Sequence, residues 1–530
     1  MRDQRARGSV FLRTSRTRYC PLYTSSPFSP DPKRRSNTRP FSKTLTPAEY
    51  REGKVVWPHY YRTPVLYNFP RGSLVSEALR HSALLTDLYE LTMAAAYFEN
   101  GFRATASFEL FVSSLPPQRG YLLAAGLDQA LDFLEEVRFQ PEDISFLRRH
   151  SAFAHVSDAF FDYLKTFRFT GEVWAVPEGT PIFSEEPLLR VTGPIIEAQI
   201  VETFLLSTLT FQTMIASKAA RVVAAAGGRG VVEFGSRRAH GPEAGVLAAR
   251  AAYIGGYTGT SNVSAGVRFG IPTLGTLAHS FVMAYSDEEE AFRRFQQFFP
   301  DHSVLLVDTY DTLAAIEKII HAGLRPKSVR LDSGDLVDLS RQVRRRLDQA
   351  GLAETRIFAS GDLDEFVIAA LLARGAQIDA FGVGTALATS KDAPTLGGVY
   401  KLVDVASGDA PSYRAKFSEE KTTYPGRKQV FRLPNSDGSF REDVIGREFE
   451  RYPEAELLLS PVMREGKRLV PSPSLCQIRD RAPRELSRLP ESCRRLQNPE
   501  PYPFRFSREL EALLEDLRLG LTQLAGKKGA

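Results

Sequence analysis

Ser303-Val-Leu-Leu-Val-Asp308-Thr-Tyr-Asp311, Ser328-Val-Arg330-Leu-Asp332-Ser-Gly-Asp335, Arg356-Ile-Phe-Ala-Ser360-Gly361-Asp362 and Ile378-Asp-Ala-Phe-Gly382-Val-Gly384-Thr385 are four apolar runs, each ending in acids, glycines or hydroxyls. Short apolar runs bounded by turn residues read as strands, and helical spacing follows each one. A helix after each strand, with polar groups at every strand's C-terminal end, predicts a parallel α/β barrel with its active site at that rim. Carboxylates, backbone N–H groups and hydroxyls converging there suit a sugar phosphate and a divalent metal.

Outward from this core, further strands are expected at 231–234, 273–277 and, less regularly, 400–403, beside those at 304–307, 329–331, 357–359 and 380–383. The ordered protein is expected to begin near Ser82. A helix over 84–97 follows, with Thr86 as its candidate N-cap. A strand over 106–112, helices over 127–137 and 160–166 and a strand over 172–176 make an α+β lobe. Gly193-Pro194 opens a long helical region that stops at Gly227-Gly228, where glycine suits a C-terminal cap. After about 410 the pattern breaks into Pro- and charge-rich segments, then a strand near 456–459 and a last helix over 507–524. This reads as a smaller domain folded back on the first lobe. The expected boundaries are a basic extension at 1–80, the lobe at 81–193, the barrel at 194–408 and the C-terminal domain at 409–530.

Composition narrows the class. At 530 residues the chain can form two or three domains, and its 43% apolar and 25% charged residues are ordinary for a globular protein. No apolar stretch reaches the roughly 18 residues of a membrane span. Cys20, Cys476 and Cys493 form no CxxC pair, which argues against a disulfide framework or zinc site and suits a reducing, cytoplasmic setting. Residues 1–43 hold eleven Lys and Arg against Asp3 and Asp31. That Arg- and Ser-rich start reads as disordered: an organelle-targeting peptide, a dispensable tail, or the product of a start codon set too far upstream. No basic face interleaved with aromatics points to nucleic acid.

Five constellations carry chemistry. Glu233-Phe-Gly-Ser-Arg237-Arg238-Ala-His240-Gly-Pro242 follows a strand and precedes a helix, and its paired arginines suit a phosphate or carboxylate. Gly255-Gly-Tyr-Thr-Gly-Thr260-Ser261-Asn262 opens a helix with small residues, which serves an anion or a simple N-cap. Gly275-Thr276-Leu-Ala-His279-Ser places a histidine at a strand end, where it is a structural residue or a nucleophile. Asp308, Asp311, Asp332, Asp335 and Asp362 are hard oxygen donors for Mg2+; Asp311 and Asp335 read equally as helix N-caps, and Asp308 and Asp332 are the better metal or substrate candidates. Gly361 with Gly382-Val-Gly384-Thr385 lies after the last barrel strands, where such barrels bind phosphate.

Together with Leu85-Thr-Asp-Leu-Tyr89 and Leu396-Gly-Gly-Val-Tyr400-Lys401, these motifs, in this order, resemble nicotinate phosphoribosyltransferases, a type II phosphoribosyltransferase family, over residues 84–519. The resemblance implies an irregular TIM-like α/β barrel plus an α+β lobe formed from the N- and C-terminal segments, and a homodimer with sites completed across the interface. It implies synthesis of nicotinate mononucleotide and diphosphate from nicotinate and 5-phosphoribosyl 1-diphosphate, coupled to ATP hydrolysis, as the first step of NAD synthesis from nicotinate. The implied cofactor is Mg2+ (or Mn2+), with ATP as co-substrate. By the same resemblance, Tyr89 and Phe234 would sandwich the pyridine ring. Arg237 and Thr276 would meet its carboxylate, with Arg330 near nicotinate and the diphosphate. His279 would be the histidine that ATP phosphorylates, and Asp332 would hold the ribose hydroxyls. Asp308 would help place the metal, and Gly361, Gly384 and Thr385 would cradle the 5-phosphate, with Arg237 also near the phosphoribosyl group.

Two features depart from the family: the basic extension, and His240 where members more often carry glutamine. Three rivals stand beside the main reading. A nicotinamide phosphoribosyltransferase would carry aspartate at the position of Ser261. A quinolinate-type enzyme is shorter and lacks Gly-Thr-Leu-Ala-His. A catalytically inactive relative acting as a binding subunit would have lost polar motifs that are intact here.

Overall fold

The computed structural model describes residues 81–408, 411–417 and 422–528. The expected basic extension at 1–80, with its targeting alternative, lies outside the described residues. Those described fall within one compact unit. Among them, no helix is long and apolar enough to cross a membrane.

Six parallel strands form the barrel sheet: β1 (Gly230–Glu233), β2 (Gly259–Thr260), β3 (Val304–Leu306), β4 (Ser328–Leu331), β5 (Arg356–Ala359) and β6 (Ala380–Val383). Their spatial order is β2-β1-β6-β5-β4-β3. Every pairing is parallel, with Val232 opposite Gly259, Ala380 opposite Gly230 and Arg356 opposite Ser328. Parallel strands need covering on both faces. The helices Pro242–Ile254, Thr312–His321, Leu336–Gln349 and Glu365–Ala373 follow the strands and provide that cover. Ile316, Ile319, Val343, Leu347 and Ile368 pack on Val231, Leu305, Val329, Ile357 and Phe381 in one core.

The expected strand at 273–277 is corrected. Only Thr273 forms a bridge, to Thr260. The segment still closes the ring between β2 and β3. Thr260 N–H donates to Pro272 O at 3.0 Å, Leu274 N–H to Thr260 O at 2.9 Å, and Leu277 N–H to Val304 O at 3.4 Å. Pro272 has no N–H to give and Gly275 weakens a strand, so the ladder stays short and the barrel irregular.

The lobe carries a seven-stranded sheet in the order Pro411–Tyr413, Gly398–Ala406, Thr105–Val112, Pro187–Pro194, Glu172–Ala175, Ser460–Arg464, Lys467–Arg468. Segments from both ends of the chain therefore share one sheet. Gly398–Ala406 pairs antiparallel with Thr105–Val112, from Thr105 opposite Ala406 to Val112 opposite Gly398. This corrects the barrel boundary expected at 408 and the barrel strand expected at 400–403: that strand belongs to the lobe. A second, four-stranded sheet (Glu456–Leu457, Lys428–Pro434, Phe440–Arg447, Phe504–Phe506) is joined to the lobe by Lys428, whose ammonium meets Glu109 at 2.7 Å.

The first described helix is Leu88–Glu99, with Asp87 rather than Thr86 at its N-cap position and no side-chain hydrogen bond closing the cap. The Thr86 hydroxyl is committed elsewhere, donating to Ile200 O at 2.9 Å. The long helical region is two helices, Ile195–Ile200 and Glu202–Ala225, and it ends on Gly227 and Gly228, both at positive φ. From the second of these helices, Lys218 and Arg221 reach Glu365, and Lys218 also reaches Asp392 at 2.8 Å. Arg119 of the lobe joins them, 2.8 Å from Asp392. Three buried cations and two carboxylates thus pin the segments that follow β5 and β6 to the lobe.

Candidate active site

Strand alternation puts Val329 and Leu331 of β4 in the core and leaves Arg330 on the opposite side, half-buried. Three loops hold its guanidinium. Nε donates to Ser360 Oγ at 2.7 Å, Nη1 to Thr276 Oγ1 at 2.8 Å and Nη2 to Asp332 Oδ1 at 2.7 Å. Its carbon centre lies 5.5 Å from the centroid of the Phe234 ring, within cation–π range. A planar fork with several fixed donors is pre-organised to face a carboxylate or phosphate.

Asp332 follows β4 directly. Burial pushes its carboxyl up, but the hydrogen bond from Ser360 and the charge and hydrogen bond of Arg330 outweigh that and hold it below the usual aspartate range. It is therefore an anion at neutral pH, able to accept from hydroxyls. Asp308, after β3, accepts the Asp332 N–H at 2.9 Å and the Ser333 hydroxyl at 2.8 Å through Oδ2. Its Oδ1 is buried without a partner. Asp311 and Asp335 are helix caps: Asp311 accepts from Ala314 N–H, Asp335 from Val337 and Asp338 N–H. Among the described residues no group of three or more His, Cys, Asp or Glu side chains can hold a metal ion.

His279 opens the short helix His279–Met283 and is exposed at the mouth. Its Nδ1 lies 3.2 Å from Thr309 Oγ1, and its Nε2 lies 3.9 Å from Asp332 Oδ2. The ring thus bridges the loops after β3 and β4.

The aromatic side of the site depends on glycines. Phe234 N–H donates to Val383 O at 3.0 Å, which sets the loop after β1 against β6. A Cβ at Gly382 would stand 2.8 Å from the Phe234 ring, and one at Gly384 would stand 2.9 Å from Phe234 O. Gly382 therefore makes room for the ring, while Gly384 and Thr385 open the next short helix. Gly361 has φ +92°, and a Cβ there would meet Asp332 O at 2.4 Å. No side chain fits at that turn.

Arg330, Asp332, Phe234, Thr276, His279 and Asp308 are joined by direct contacts, and Gly361, Gly384 and Thr385 follow neighbouring strands. Arg237, Arg238 and His240 stand exposed on the loop after β1, with no side-chain partner among the described residues. The Thr276 hydroxyl donates to Leu277 O at 2.9 Å while accepting from Arg330, so it serves the guanidinium first. Tyr89 is the residue the single chain does not bring to the rim. It lies in the lobe, 48% exposed, beside Glu90 and Glu202, and burial together with those charges pushes its phenol well up. Sequence reasoning assigned no role to Ser360, Thr309, Ser333 and Glu233. The signal was there: each hydroxyl directly precedes or follows a site residue at a strand end, and Glu233 is an acid closing an apolar run.

Comparison with known proteins gives consistent matches. The N-terminal domain of nicotinate phosphoribosyltransferase matches residues 84–210, and its C-terminal domain matches 449–514. The C-terminal domain of quinolinate phosphoribosyl transferase matches residues 215–393, the barrel. A nicotinate phosphoribosyltransferase of Mycobacterium tuberculosis is 48% identical over 444 residues, 82% of this chain and 94% of that protein. One from Bacillus subtilis is 39% identical, covering 81% of this chain and 93% of its own length. The crystal structure of human nicotinic acid phosphoribosyltransferase superposes with a TM-score of 0.73 at 31% identity, over 82% of this chain and 99% of that one.

Proposed function

The chain belongs to the nicotinate phosphoribosyltransferase family and is an enzyme of that activity; on that premise we propose how its rim divides the work. Nicotinate displaces diphosphate from C1 of 5-phosphoribosyl 1-diphosphate: the C1–O bond breaks, the ring nitrogen forms the C1–N bond, and diphosphate leaves. Phe234 stacks on one face of the pyridine ring. Arg237, free on its loop, meets the carboxylate, and Thr276 acts beside it by turning its hydroxyl from Leu277 O. Asp332, held ionised, accepts from the ribose hydroxyls. Gly361, Gly384 and Thr385 offer N–H and O–H donors to the 5-phosphate. Arg330 faces the charge that develops on the leaving diphosphate, where a preorganised donor stabilises a transition state more than a ground state.

The arrangement of Arg330 supports this reading above all: one guanidinium is fixed by Thr276, Ser360 and Asp332 over the Phe234 ring. Mg2+ (or Mn2+), when bound, neutralises charge on the diphosphate. Asp308, with Oδ1 buried and unpartnered, is the residue that would help hold it beside the diphosphate oxygens.

ATP coupling runs through His279 in this reading. With Nδ1–H donating a hydrogen bond to Thr309 Oγ1, Nε2 keeps the lone pair that attacks the γ-phosphorus of ATP; the N–P bond forms as the P–O bond to ADP breaks, and ADP departs. Tyr89 stacks on the second face of the ring from a partner subunit. The exposure of Leu85, Leu88 and Tyr89 on the lobe, and of Val263, Val267 and Met283 on the barrel, supports a homodimer. Cys476 and Cys493 are free thiols, which suits the cytoplasm. Titrating purified protein with nicotinate or nicotinamide, each with phosphoribosyl diphosphate and with or without ATP, tests the reading by product formation. Faster turnover of nicotinamide would overturn the assignment of the acid, which rests on Ser261 where an amide-specific site would carry aspartate.

A further inference from the structure

We propose that Glu233 is a positioning residue for the pyridine end of the site, acting through Thr260, Asn262 and Ser236. The inference rests on Phe234 and Arg237 binding nicotinate, as proposed above, and concerns what holds them there. Glu233 ends β1 and is 1% exposed. One carboxylate oxygen, Oε1, accepts the Gly235 N–H, and the other, Oε2, accepts the Thr260 hydroxyl. Thr260, fully buried, in turn accepts the Asn262 N–H at 2.9 Å. Asn262 Nδ2 donates to Ser236 Oγ at 3.0 Å, while its Oδ1 caps the helix Val263–Phe269 through Ala265 N–H at 2.9 Å. The Ser261 N–H closes the circuit on Glu233 O at 2.9 Å.

This ring of hydrogen bonds locks the loop after β1 to the loop after β2. Phe234 lies inside it, between Glu233 and Gly235. Arg237 hangs from its edge, directly after Ser236. The ring is also wedged from behind, because a Cβ on Gly235 would stand 2.4 Å from that of Ala388.

The choice of residue carries the argument. Among the described residues no Lys, Arg or His side chain pairs with Glu233, and burial drives its carboxyl pKa up. The Tyr257 hydroxyl nearby is buried and has no hydrogen-bond partner, so it gives Glu233 none. An unpaired buried carboxylate is costly, and glutamine would fill the space more cheaply. Glutamine, however, has one acceptor end. It can take the Gly235 N–H or the Thr260 O–H but not both, and the second donor is left unsatisfied. Only a carboxylate accepts from both loops at once; an amide Nε2–H turned to Thr260 Oγ1 would leave the Thr260 hydroxyl proton without its acceptor.

The test measures KM for each substrate in Glu233→Gln and Thr260→Val, with Thr260→Ser as the conservative rescue. We expect the nicotinate KM to rise about tenfold in the first two, as one unsatisfied buried donor implies. The phosphoribosyl diphosphate KM should stay within about twofold, and Thr260→Ser should restore nicotinate binding. Arg237→Ala is the control for the underlying reading. If it leaves the nicotinate KM unchanged, that reading fails and this proposal goes with it. If it raises the nicotinate KM while Thr260→Val and Glu233→Gln do not, the pocket stands and the positioning role is overturned. A lower melting temperature with both KM values unchanged, or an equal rise in both, marks a merely structural role and also overturns it.

Discussion

Arg330 spends three of its nitrogen donors on Ser360, Thr276 and Asp332. A lysine in its place keeps the charge but cannot reach three partners in one plane. We expect Arg330→Lys to lower kcat/KM by about a hundredfold, mostly in kcat, since the donor's work is done at the leaving group. A loss confined to KM would move Arg330 from the leaving group to ground-state binding. His279→Ala should abolish ATP coupling while some ATP-independent transfer survives. Single-turnover assays with and without ATP decide this, and equal loss of both would remove the phosphohistidine. Which acids are caps was half-legible: Asp311 and Asp335 have the spacing of caps and are caps. That Asp308 would spend an oxygen on Asp332 N–H depends on the fit of two neighbouring loops, which no local pattern encodes.

At the scale of elements, the turn after β5 is the most constrained. Gly361 combines φ +92° with the Asp332 carbonyl 2.4 Å from where a Cβ would go. Gly361→Ala should cost about 1–3 kcal/mol in urea unfolding, and should raise the KM for phosphoribosyl diphosphate more than that for nicotinate. Unchanged stability would mean that the turn relaxes freely. Apolar runs found five of the six barrel strands within a residue or two, because buried parallel strands read as unbroken hydrophobic stretches. The sixth, β2, is two residues long and was read only as part of a cluster of small residues opening a helix. The run at 400–403 was found but not its partner, because nothing local to it names the strand at Thr105–Val112.

For the molecule as a whole, charge buried between segments sets stability. Glu365 is fully buried against Lys218 and Arg221, with Arg119 beside it. Glu365→Ala strands those cations and should cost about 3–5 kcal/mol, a loss that denaturant titration would reveal. Glu90 adds a pH dependence. Burial raises its carboxyl pKa to about 8, with the Thr203 hydrogen bond opposing and Glu202 reinforcing, against 4.5 as the ordinary value. The native state therefore holds this proton after the unfolded chain has released it. Stability linked to Glu90 is complete below the ordinary value and is lost as pH climbs through about 8. Melting temperatures from about pH 5 to about pH 9 should fall faster for the native sequence than for Glu90→Gln; parallel curves would show that Glu90 ionises freely. If Tyr89 serves the partner's site, mixing inactive His279→Ala,Arg330→Ala protein with Tyr89→Ala protein should restore activity in hybrid dimers. No recovery after subunit exchange would confine Tyr89 to its own chain.

The pairing of Thr105 with Ala406 has a consequence during biosynthesis. The strand Thr105–Val112 leaves the ribosome long before Gly398–Ala406, and at some 5–20 residues per second the wait is on the order of tens of seconds. Once Pro187–Pro194 has emerged, the nascent sheet has that strand on one flank and a bare row of N–H and C=O groups on the other, open to any passing strand. A transcript cut just beyond the barrel would make that wait permanent, so truncated chains ending near residue 395 should collect in inclusion bodies while the full-length product stays in the supernatant.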